Sequence, residues 1–310
     1  MSWILLATFG QFINAIVALL DKYIVSDKNI LPKPFVYSFY SCLLTGGWIL
    51  IFAFGLIPAL RQIGMPSLLE VKTPTLTVVA LSFLAAYTFF IALVSMFNAL
   101  KYSNPAEAMP VIGAISALST FGLSYLFLNT NLSTMSILGI LFLSTGTFLV
   151  AKSLPKKSII LYVIHSGLFF AMHYITMKGL FLETGFANGF FWSRIGFILF
   201  SLSLLLVPVY FDKIKNQTVN ATKRTGIIIF VNKILAGVAT FVLLKATDMG
   251  EVSVVQALDG LRYIFITIMV ITFYKYLPNT VIDKLPESKH VFRQVVYITL
   301  ISAGFLFLFK

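Results

Sequence analysis

Ten apolar segments, each close to the length of one membrane crossing, constrain this chain more than any other feature. A bilayer core is about 30 Å thick, and a helix needs about 20 apolar residues to cross it. Isolated strands leave backbone groups unpaired in lipid, and these segments are too long and too uniformly apolar for barrel strands. The sequence therefore predicts an all-α integral membrane protein with ten transmembrane helices. The segments cover residues 3–25, 35–57, 76–100, 104–127, 133–151, 158–181, 187–210, 225–246, 250–274 and 293–309.

The composition agrees with a membrane protein. Of the 310 residues, 59% are hydrophobic and 11% are charged, whereas a soluble domain carries about 25% charged residues. The net charge of +12 comes from Lys and Arg residues that lie mostly at the ends of the apolar segments. Lipid headgroups are the expected partners there, so we expect a lipid bilayer and no nucleic acid. The single cysteine, Cys42, excludes an intrachain disulfide and a multi-cysteine metal site.

The two halves of the chain repeat one pattern. The stretch ALKYSNPAEA from Ala99 aligns with LLKATDMGEV from Leu243 at a shift of 144 positions, with Lys and Glu in register. Two weaker matches, SFYSCLLTGG with FFWSRIGFIL and STGTFLVAK with SAGFLFLFK, follow the same order. We predict five-helix repeats at residues 1–152 and 153–310. Because five is odd, the second repeat is inverted in the membrane, an architecture typical of carriers whose halves rock about a midplane site.

The short hairpin ALKYSNPAEA and the fifth-helix segment LSTMSILGILFLSTGTFLVAK resemble the drug/metabolite transporter superfamily, and its EamA-like group in particular. The resemblance implies a ten-helix secondary transporter, rather than an enzyme, with both termini in the cytoplasm. Its relatives are described as moving amino acids, other metabolites, drugs and sugar phosphates. The sequence departs from the family where LNTNLS replaces a Gly-Glu pair after helix four. It is also divergent in helix nine, where Asp259 and Arg262 stand at the positions of Ile115 and Leu118 in the first half.

Polar residues within the apolar segments are the candidates for a substrate site, because such residues are costly in lipid and are usually functional. We predict that they line a cavity between the halves. The candidates are Gln11, Asn14, His173, Trp192, Arg194, Lys233, Asp259, Arg262 and Tyr263.

Three of these interpretations have structural alternatives. Asp259 and Arg262 lie three residues apart on a helix, so they can form an ion pair with each other. Lys233 lies about two turns into its helix and can extend its ammonium group to the interface. His173 also suits a neutral core histidine that is hydrogen-bonded within the bundle.

The signs of the charges suggest the substrate. Well inside the spans there are three cations, Arg194, Lys233 and Arg262, against one clear anion, Asp259, while Asp21 lies near the end of the first helix. An unpaired buried charge is costly, so an external anion is the natural partner. We therefore expect a carrier of a small metabolite, an organic anion, in the plasma or inner membrane, acting as a monomer or a homodimer.

Two other functional classes stay open. An intramembrane enzyme needs a nucleophile and a base within the bundle, and His173 with a serine meets that requirement. A non-transporting membrane subunit needs an outer docking face instead of a polar cavity. The sequence contains no GxxxxGK[ST] phosphate loop and no HExxH motif, so we expect no cofactor and no metal.

The orientation of the termini is predicted differently by two arguments. Apart from Arg194, Lys233 and Arg262, fifteen Lys and Arg residues lie in or next to the odd-numbered connections, and five lie in or next to the even-numbered ones and the C-terminus. Cytoplasmic loops are enriched in Lys and Arg, so this count places both termini outside. The family resemblance places them in the cytoplasm.

Overall fold

The computed structural model describes residues 2–26, 33–62, 65–130, 132–149, 157–219, 223–278 and 288–308. Within these ranges the chain is 89% helical and contains no strand. The predicted all-α class is therefore confirmed.

The helices follow the predicted apolar segments closely. Those of the first half are α1 (Ser2–Ser26), α2 (Pro34–Gly46), α3 (Ile51–Phe54), α4 (Pro58–Gln62), α5 (Leu76–Tyr102), α6 (Pro105–Leu128) and α7 (Thr134–Leu149). Those of the second half are α8 (Lys157–Thr184), α9 (Phe186–Leu204), α10 (Pro208–Val219), α11 (Lys223–Met249), α12 (Val252–Ala257), α13 (Leu261–Phe273) and α14 (Ser288–Phe307).

Seven helical stretches of the described chain are long and apolar enough to cross a membrane. They are Ser2–Ser26, Pro34–Phe54, Leu76–Tyr102, Pro105–Leu128, Ile159–Thr184, Lys223–Met249 and Val252–Phe273. Helices α9 and α10 add an eighth only if they count as one span, since the chain bends by 96° between them. The two remaining predicted segments coincide with shorter apolar helices, α7 and α14. The structure thus provides seven or eight candidate spans where the sequence predicts ten.

Residues at the helix ends explain where several helices begin and end. The hydroxyl of Thr75 accepts a hydrogen bond from the backbone N–H of Val78 in the first turn of α5. This is the usual role of an N-cap residue. Pro105 opens α6, where a missing N–H leaves no hydrogen bond unmade. Asn129 ends α6 in the left-handed conformation, with φ 50°. Pro110 lies inside α6, yet the helix continues through it.

Helix packing joins the halves in matching pairs. Helix α1 packs along α11, and α8 packs along α5, so the first helix of each half lies on the third long helix of the other. Helices α7 and α14 also pack together. A Cβ on Gly139 or Gly304 would meet the backbone of the opposite helix, so glycine at these positions permits the close approach.

The outward surfaces of the spans are apolar. Leu5, Leu161 and Ile268 are each more than half exposed. Extensive exposed apolar surface marks an interaction surface, which for span-length helices is lipid.

Helix α12 is separated from α13 by a single 3-10 turn, Leu258–Gly260, in the middle of a candidate span. A 3-10 turn inside a helix often marks a functional position. This turn carries Asp259, so the irregular backbone coincides with a carboxylate in the bundle interior.

Candidate substrate cavity

A cavity of about 100 Å³ lies between the two halves of the bundle. One water needs roughly 10–15 Å³ on the same measure, so the cavity can hold several waters or a small organic molecule. The first half lines it with α1, α2, α5 and α6, and the second half with α8, α11 and the segment from α12 to α13. The polar residues on its walls are Asn14, Asp21, Ser41, Thr45, Ser116, Tyr174, Lys233, Thr240, Gln256, Asp259 and Arg262.

Asp21 and Lys233 form a buried ion pair on the wall made by α1 and α11. Lys233 Nζ lies 3.1 Å from Asp21 Oδ1. The same oxygen accepts hydrogen bonds from the Tyr37 hydroxyl (2.5 Å) and from Asn232 Nδ2 (2.7 Å). All four side chains are at most 8% exposed. Buried charges are tolerated when they are paired and hydrogen-bonded in this way.

Arg262 and Asp259 form a second ion pair, which is the alternative weighed from their spacing. Arg262 Nη2 also donates to Gln11 Oε1 (3.1 Å), and Asn14 Nδ2 lies 3.4 Å from the same oxygen. Arg262 Nε is buried and has no hydrogen-bond partner among the described residues. An unpaired buried donor is costly, so it favours an acceptor supplied by a ligand.

The absence of a side chain at Gly113 makes room for Asp259. A Cβ at this position of α6 would overlap the Asp259 carboxylate. One turn further along α6, the Ser116 hydroxyl donates to Gln256 Oε1 (3.1 Å). Helix α6 therefore positions the irregular segment between α12 and α13 through close polar contacts.

A second wall of the cavity is aromatic and apolar. Phe89 on α5 and Phe170 on α8 line it, together with Leu93 and Met96. Tyr174, one turn beyond Phe170 on α8, adds a hydroxyl group. Binding pockets commonly combine such a surface with a few polar groups that orient the ligand.

Five of the nine predicted residues come together at the cavity. Asn14, Lys233, Asp259 and Arg262 line it, and Gln11 is bonded to Arg262.

Arg194 lies in the interior but outside the cavity lining. Its guanidinium is 4.5 Å from the ring centre of Phe190 and 4.6 Å from that of Phe197. It donates to Ser193 Oγ (3.3 Å) and to the Thr45 carbonyl oxygen (3.4 Å). Arg194 therefore joins α9 to α2 within an aromatic cluster.

The other three predicted residues are used in packing. His173 is 2% exposed and its Nδ1 donates to the Ala85 carbonyl oxygen (2.9 Å), which fits the core-histidine alternative. Trp192 Nε1 donates to the Lys72 carbonyl oxygen (2.9 Å). Tyr263 is buried in the main hydrophobic core.

The predicted excess of cations, three against the single anion Asp259, is wrong at the cavity because Asp21 is a second interior anion. Lys233 and Arg262 each have a carboxylate partner, so two cations face two anions at the cavity. Lys233 stays inside instead of reaching the interface because Asp21 holds it there. Helix α1 continues to Ser26, which keeps Asp21 within the bundle. The length of the first apolar segment could have revealed this, because a helix that continues to residue 25 contains Asp21.

A serine–histidine contact lies apart from the cavity. Ser95 Oγ is 2.7 Å from His165 Nδ1. His165 is exposed on α8, and in the described part of the chain no carboxylate hydrogen-bonds to its ring. Likewise, no group of three or more His, Cys, Asp or Glu residues within the described ranges is placed to hold a metal ion.

Residues 1–152 match the model of the EamA-like transporter family. This part of the chain is similar to the EamA-like transporter family. The matched range coincides with the first predicted repeat, and it confirms the resemblance drawn from the hairpin and the fifth helix. EamA-like proteins are transporters that cross the membrane several times, in agreement with the candidate spans.

Solved structures share the fold of this chain. One protein crystal structure superposes on this chain with a TM-score of 0.65 and 15% sequence identity. The superposition covers 98% of this chain and 95% of the other. That structure is one of 28 chains that match. At this identity the likeness shows the fold alone, over both halves. No curated protein sequence matches the chain.

Proposed function

We propose that the chain is a secondary carrier that moves a small metabolite across the plasma or inner membrane by alternating access. In this proposal ten spans form two inverted five-helix repeats, residues 1–152 and 153–310. The observation that carries the proposal is the cavity between the halves, which has both charged and aromatic walls. Because one chain forms all of its lining, the carrier can act as a monomer or as a homodimer.

The directions of equivalent helices support the inverted repeat. Gly139 of α7 lies against Leu308 beyond the end of α14, and Gly146 lies against Ile301, so these two helices run antiparallel. The contacts of α6 with α12 and the following turn have the same reversed order. A two-fold axis in the membrane plane reverses helix direction, whereas an axis along the membrane normal preserves it.

A matching lysine contact in each half also supports the repeat. Lys22 on α1 donates to the Leu100 carbonyl oxygen near the end of α5 (2.8 Å). Lys178 on α8 donates to the carbonyl oxygens of Thr247 (2.9 Å) and Asp248 (3.0 Å) at the end of α11. In each half, a lysine on the first helix thus stabilises the negative C-terminal end of the third long helix.

The position of the cavity favours a carrier over the other two classes. Alternating access requires a site between two bodies that rotate against each other, and both halves line this cavity. A scaffold subunit would have a packed centre. An intramembrane hydrolase needs a base oriented by a third group, whereas the Ser95–His165 pair has none in the described chain.

The walls favour a substrate with an acidic group and an apolar body. Arg262 Nε offers a buried donor without a partner, and guanidinium groups bind carboxylates and phosphates strongly. Phe89 and Phe170 offer apolar surface. Asp259 already neutralises Arg262. We therefore propose an organic anion whose acidic group binds Arg262 in competition with Asp259.

Ligand-induced thermal stabilisation of the purified chain across a metabolite library tests the proposal, because a ligand that binds the folded state raises its stability. A ligand at about 100 times its dissociation constant should add about 2.7 kcal/mol. The stabilising compounds are then tested for uptake into proteoliposomes. Binding without uptake for every such compound would rule out the carrier and favour a sensor or subunit.

Variants separate the anion proposal from the carrier proposal. Asp259→Asn with Arg262→Gln removes both charges together, so no buried ion is left unpaired. This double variant should fold and lose the stabilisation by anionic compounds. Phe170→Ala should weaken binding roughly tenfold, whereas Phe169→Ala should not, since the Phe169 ring packs on Tyr87 and His165 outside the cavity. Unchanged anion binding in the double variant would overturn the organic anion and leave the carrier intact.

A further inference from the structure

Helix α10 lies across the end of α9 instead of continuing it. The chain turns by 96° between Phe186–Leu204 and Pro208–Thr218. Because α9 runs with the bundle, a perpendicular helix at its end lies close to the plane of the membrane surface. Helices with both basic and apolar residues bind membranes in that plane.

One face of α10 is fixed to α2. Ile214 is buried, and the Tyr210 ring lies 5.0 Å from the Phe35 ring, centre to centre. The hydroxyls of Thr218 and Tyr40 are hydrogen-bonded. Tyr210, Ile214 and Thr218 are spaced four residues apart and therefore lie on one face of α10. This face packs against the rest of the protein.

Apolar side chains of α10 and of the bend before it are exposed as well. Leu206 is 82% exposed, Val209 59% and Phe211 43%. Lys215 Nζ lies 5.9 Å from the centre of the Phe211 ring, so an apolar anchor and a cation are side by side. Lysines near a membrane surface commonly place the stem in the apolar region and the ammonium at the headgroups.

The charge of this region is strongly positive. Lys213 and Lys215 on α10 and Lys223 and Arg224 at the start of α11 are exposed, and Asp212 is the one acidic residue from 205 to 225. Within the described residues, none of the ion pairs involves these four cations. Cations clustered at a membrane surface attract anionic phospholipids.

We propose that α10 and the first turn of α11 bind the headgroups of anionic phospholipids, with Leu206, Val209 and Phe211 inserted at the acyl boundary. The bound lipid holds α10 in place, and α10 holds α2. Helix α2 carries Tyr37 to Asp21 and Ser41 and Thr45 to the cavity. The lipid site therefore acts on substrate binding through α2. Only this last step rests on the proposed carrier function.

The test uses the full chain in nanodiscs of phosphatidylcholine with or without phosphatidylglycerol. Phosphatidylglycerol should raise the thermal midpoint and should remain bound in native mass spectrometry. Lys213→Gln with Lys215→Gln should weaken this binding roughly thirty-fold, at roughly fivefold per lysine.

The matched control is the corresponding helix of the first half. Helix α4 begins at Pro58 as α10 begins at Pro208, and it carries one exposed cation, Arg61. Arg61→Gln should leave phosphatidylglycerol binding unchanged. Equal binding to the double lysine variant and the parent chain would overturn the proposal.

Two further measurements separate the possible outcomes. Equal stabilisation by inorganic phosphate in pure phosphatidylcholine would mean a site for soluble anions and would also overturn the lipid site. If phosphatidylglycerol binding depends on the lysines but ligand stabilisation does not respond to the lipid, the lipid site stands and its coupling through α2 is wrong. A failure of the carrier proposal itself would appear only in the uptake assay.

Discussion

The two walls of the cavity are built from equivalent helices but have opposite chemistry. Helices α1 and α11 form one wall, and their counterparts α8 and α5 form the other. The shift of 144 positions that aligns the hairpins places Phe89 of α5 at the position of Lys233 on α11. The shift of 156 that aligns Lys22 with Lys178 places Phe170 at the position of Asn14. One wall is therefore aromatic where the other is polar and charged. Helix packing depends mainly on apolar and small side chains at the contacts between helices. It therefore does not determine whether a wall of the cavity is polar or aromatic.

The backbone also differs between α6 and its counterpart in the second half. Helix α6 runs unbroken through Pro110, while its counterpart is interrupted by the turn that carries Asp259. Ile115 stands at the position of Asp259 in the first half. The irregular backbone thus accompanies the buried carboxylate of Asp259, which interacts with Arg262 and Gln11. An isoleucine side chain forms no such polar contacts, so a regular helix suits it.

A charge placed on the aromatic wall should have the largest effect on stability. Phe89→Lys buries an ammonium group where Met177, and not an aspartate, stands at the position equivalent to Asp21. We expect a loss of roughly 3–5 kcal/mol, measured as a fall in the thermal midpoint and in the yield of monodisperse protein. Adding Met177→Asp should recover part of that loss. Tolerance of the single substitution would show that the walls are not chemically distinct.

Removing the anion of the charged wall should have a slightly smaller effect, because the neighbouring polar groups stay in place. Asp21→Asn leaves Lys233 without a carboxylate and should destabilise the chain by about 3 kcal/mol. The control is Asp248→Asn, since Asp248 pairs with Lys245 at 3.0 Å but both side chains are partly exposed. Exposed pairs contribute about 0–1 kcal/mol. Similar shifts in thermal midpoint for both variants would show that burial does not increase the contribution of the Asp21–Lys233 pair to stability.

A methyl group on α6 tests how closely Asp259 is fitted. Gly113→Ala places a Cβ within the space of the Asp259 carboxylate, so we expect a loss of about 1–3 kcal/mol and weaker ligand stabilisation. Gly122→Ala on the same helix has nothing within 4 Å of the added Cβ and should be neutral or stabilising by up to about 1 kcal/mol. If Gly113→Ala binds ligands normally, Asp259 does not require its observed position.

The lysine contact that both halves share should have the smallest effect when it is removed. Lys178→Met removes the ammonium that donates to three carbonyl oxygens at the end of α11, those of Thr247, Asp248 and Gly250. We expect a loss of about 0.5–1 kcal/mol, seen as a small fall in the thermal midpoint. Arg61→Met, on the exposed side of α4, serves as the control and should change little. A neutral result at Lys178 would remove this contact from the features that stabilise both halves.

Local sequence information accounts for the parts of the molecule that were predicted correctly. The apolar segments predict the helices because backbone groups in lipid have to be paired within each segment. The hairpin motif indicates the EamA-like family over residues 1–152, as the family match shows. The Asp259–Arg262 pair follows from a separation of three residues, which brings two side chains together on one turn.

Contacts between helices that are distant in sequence could not be predicted and are seen only in the folded bundle. Asp21 and Lys233 are 212 positions apart, and the fit of Asp259 against Gly113 joins α6 to the turn after α12. Arg194 was predicted as a cavity residue on polarity, but packing places it between Phe190 and Phe197. The physical reason is that these helices are apolar on nearly every side. Their hydrophobic pattern therefore does not distinguish the face toward lipid from the face toward a neighbour, and only the packed bundle determines which polar side chains meet.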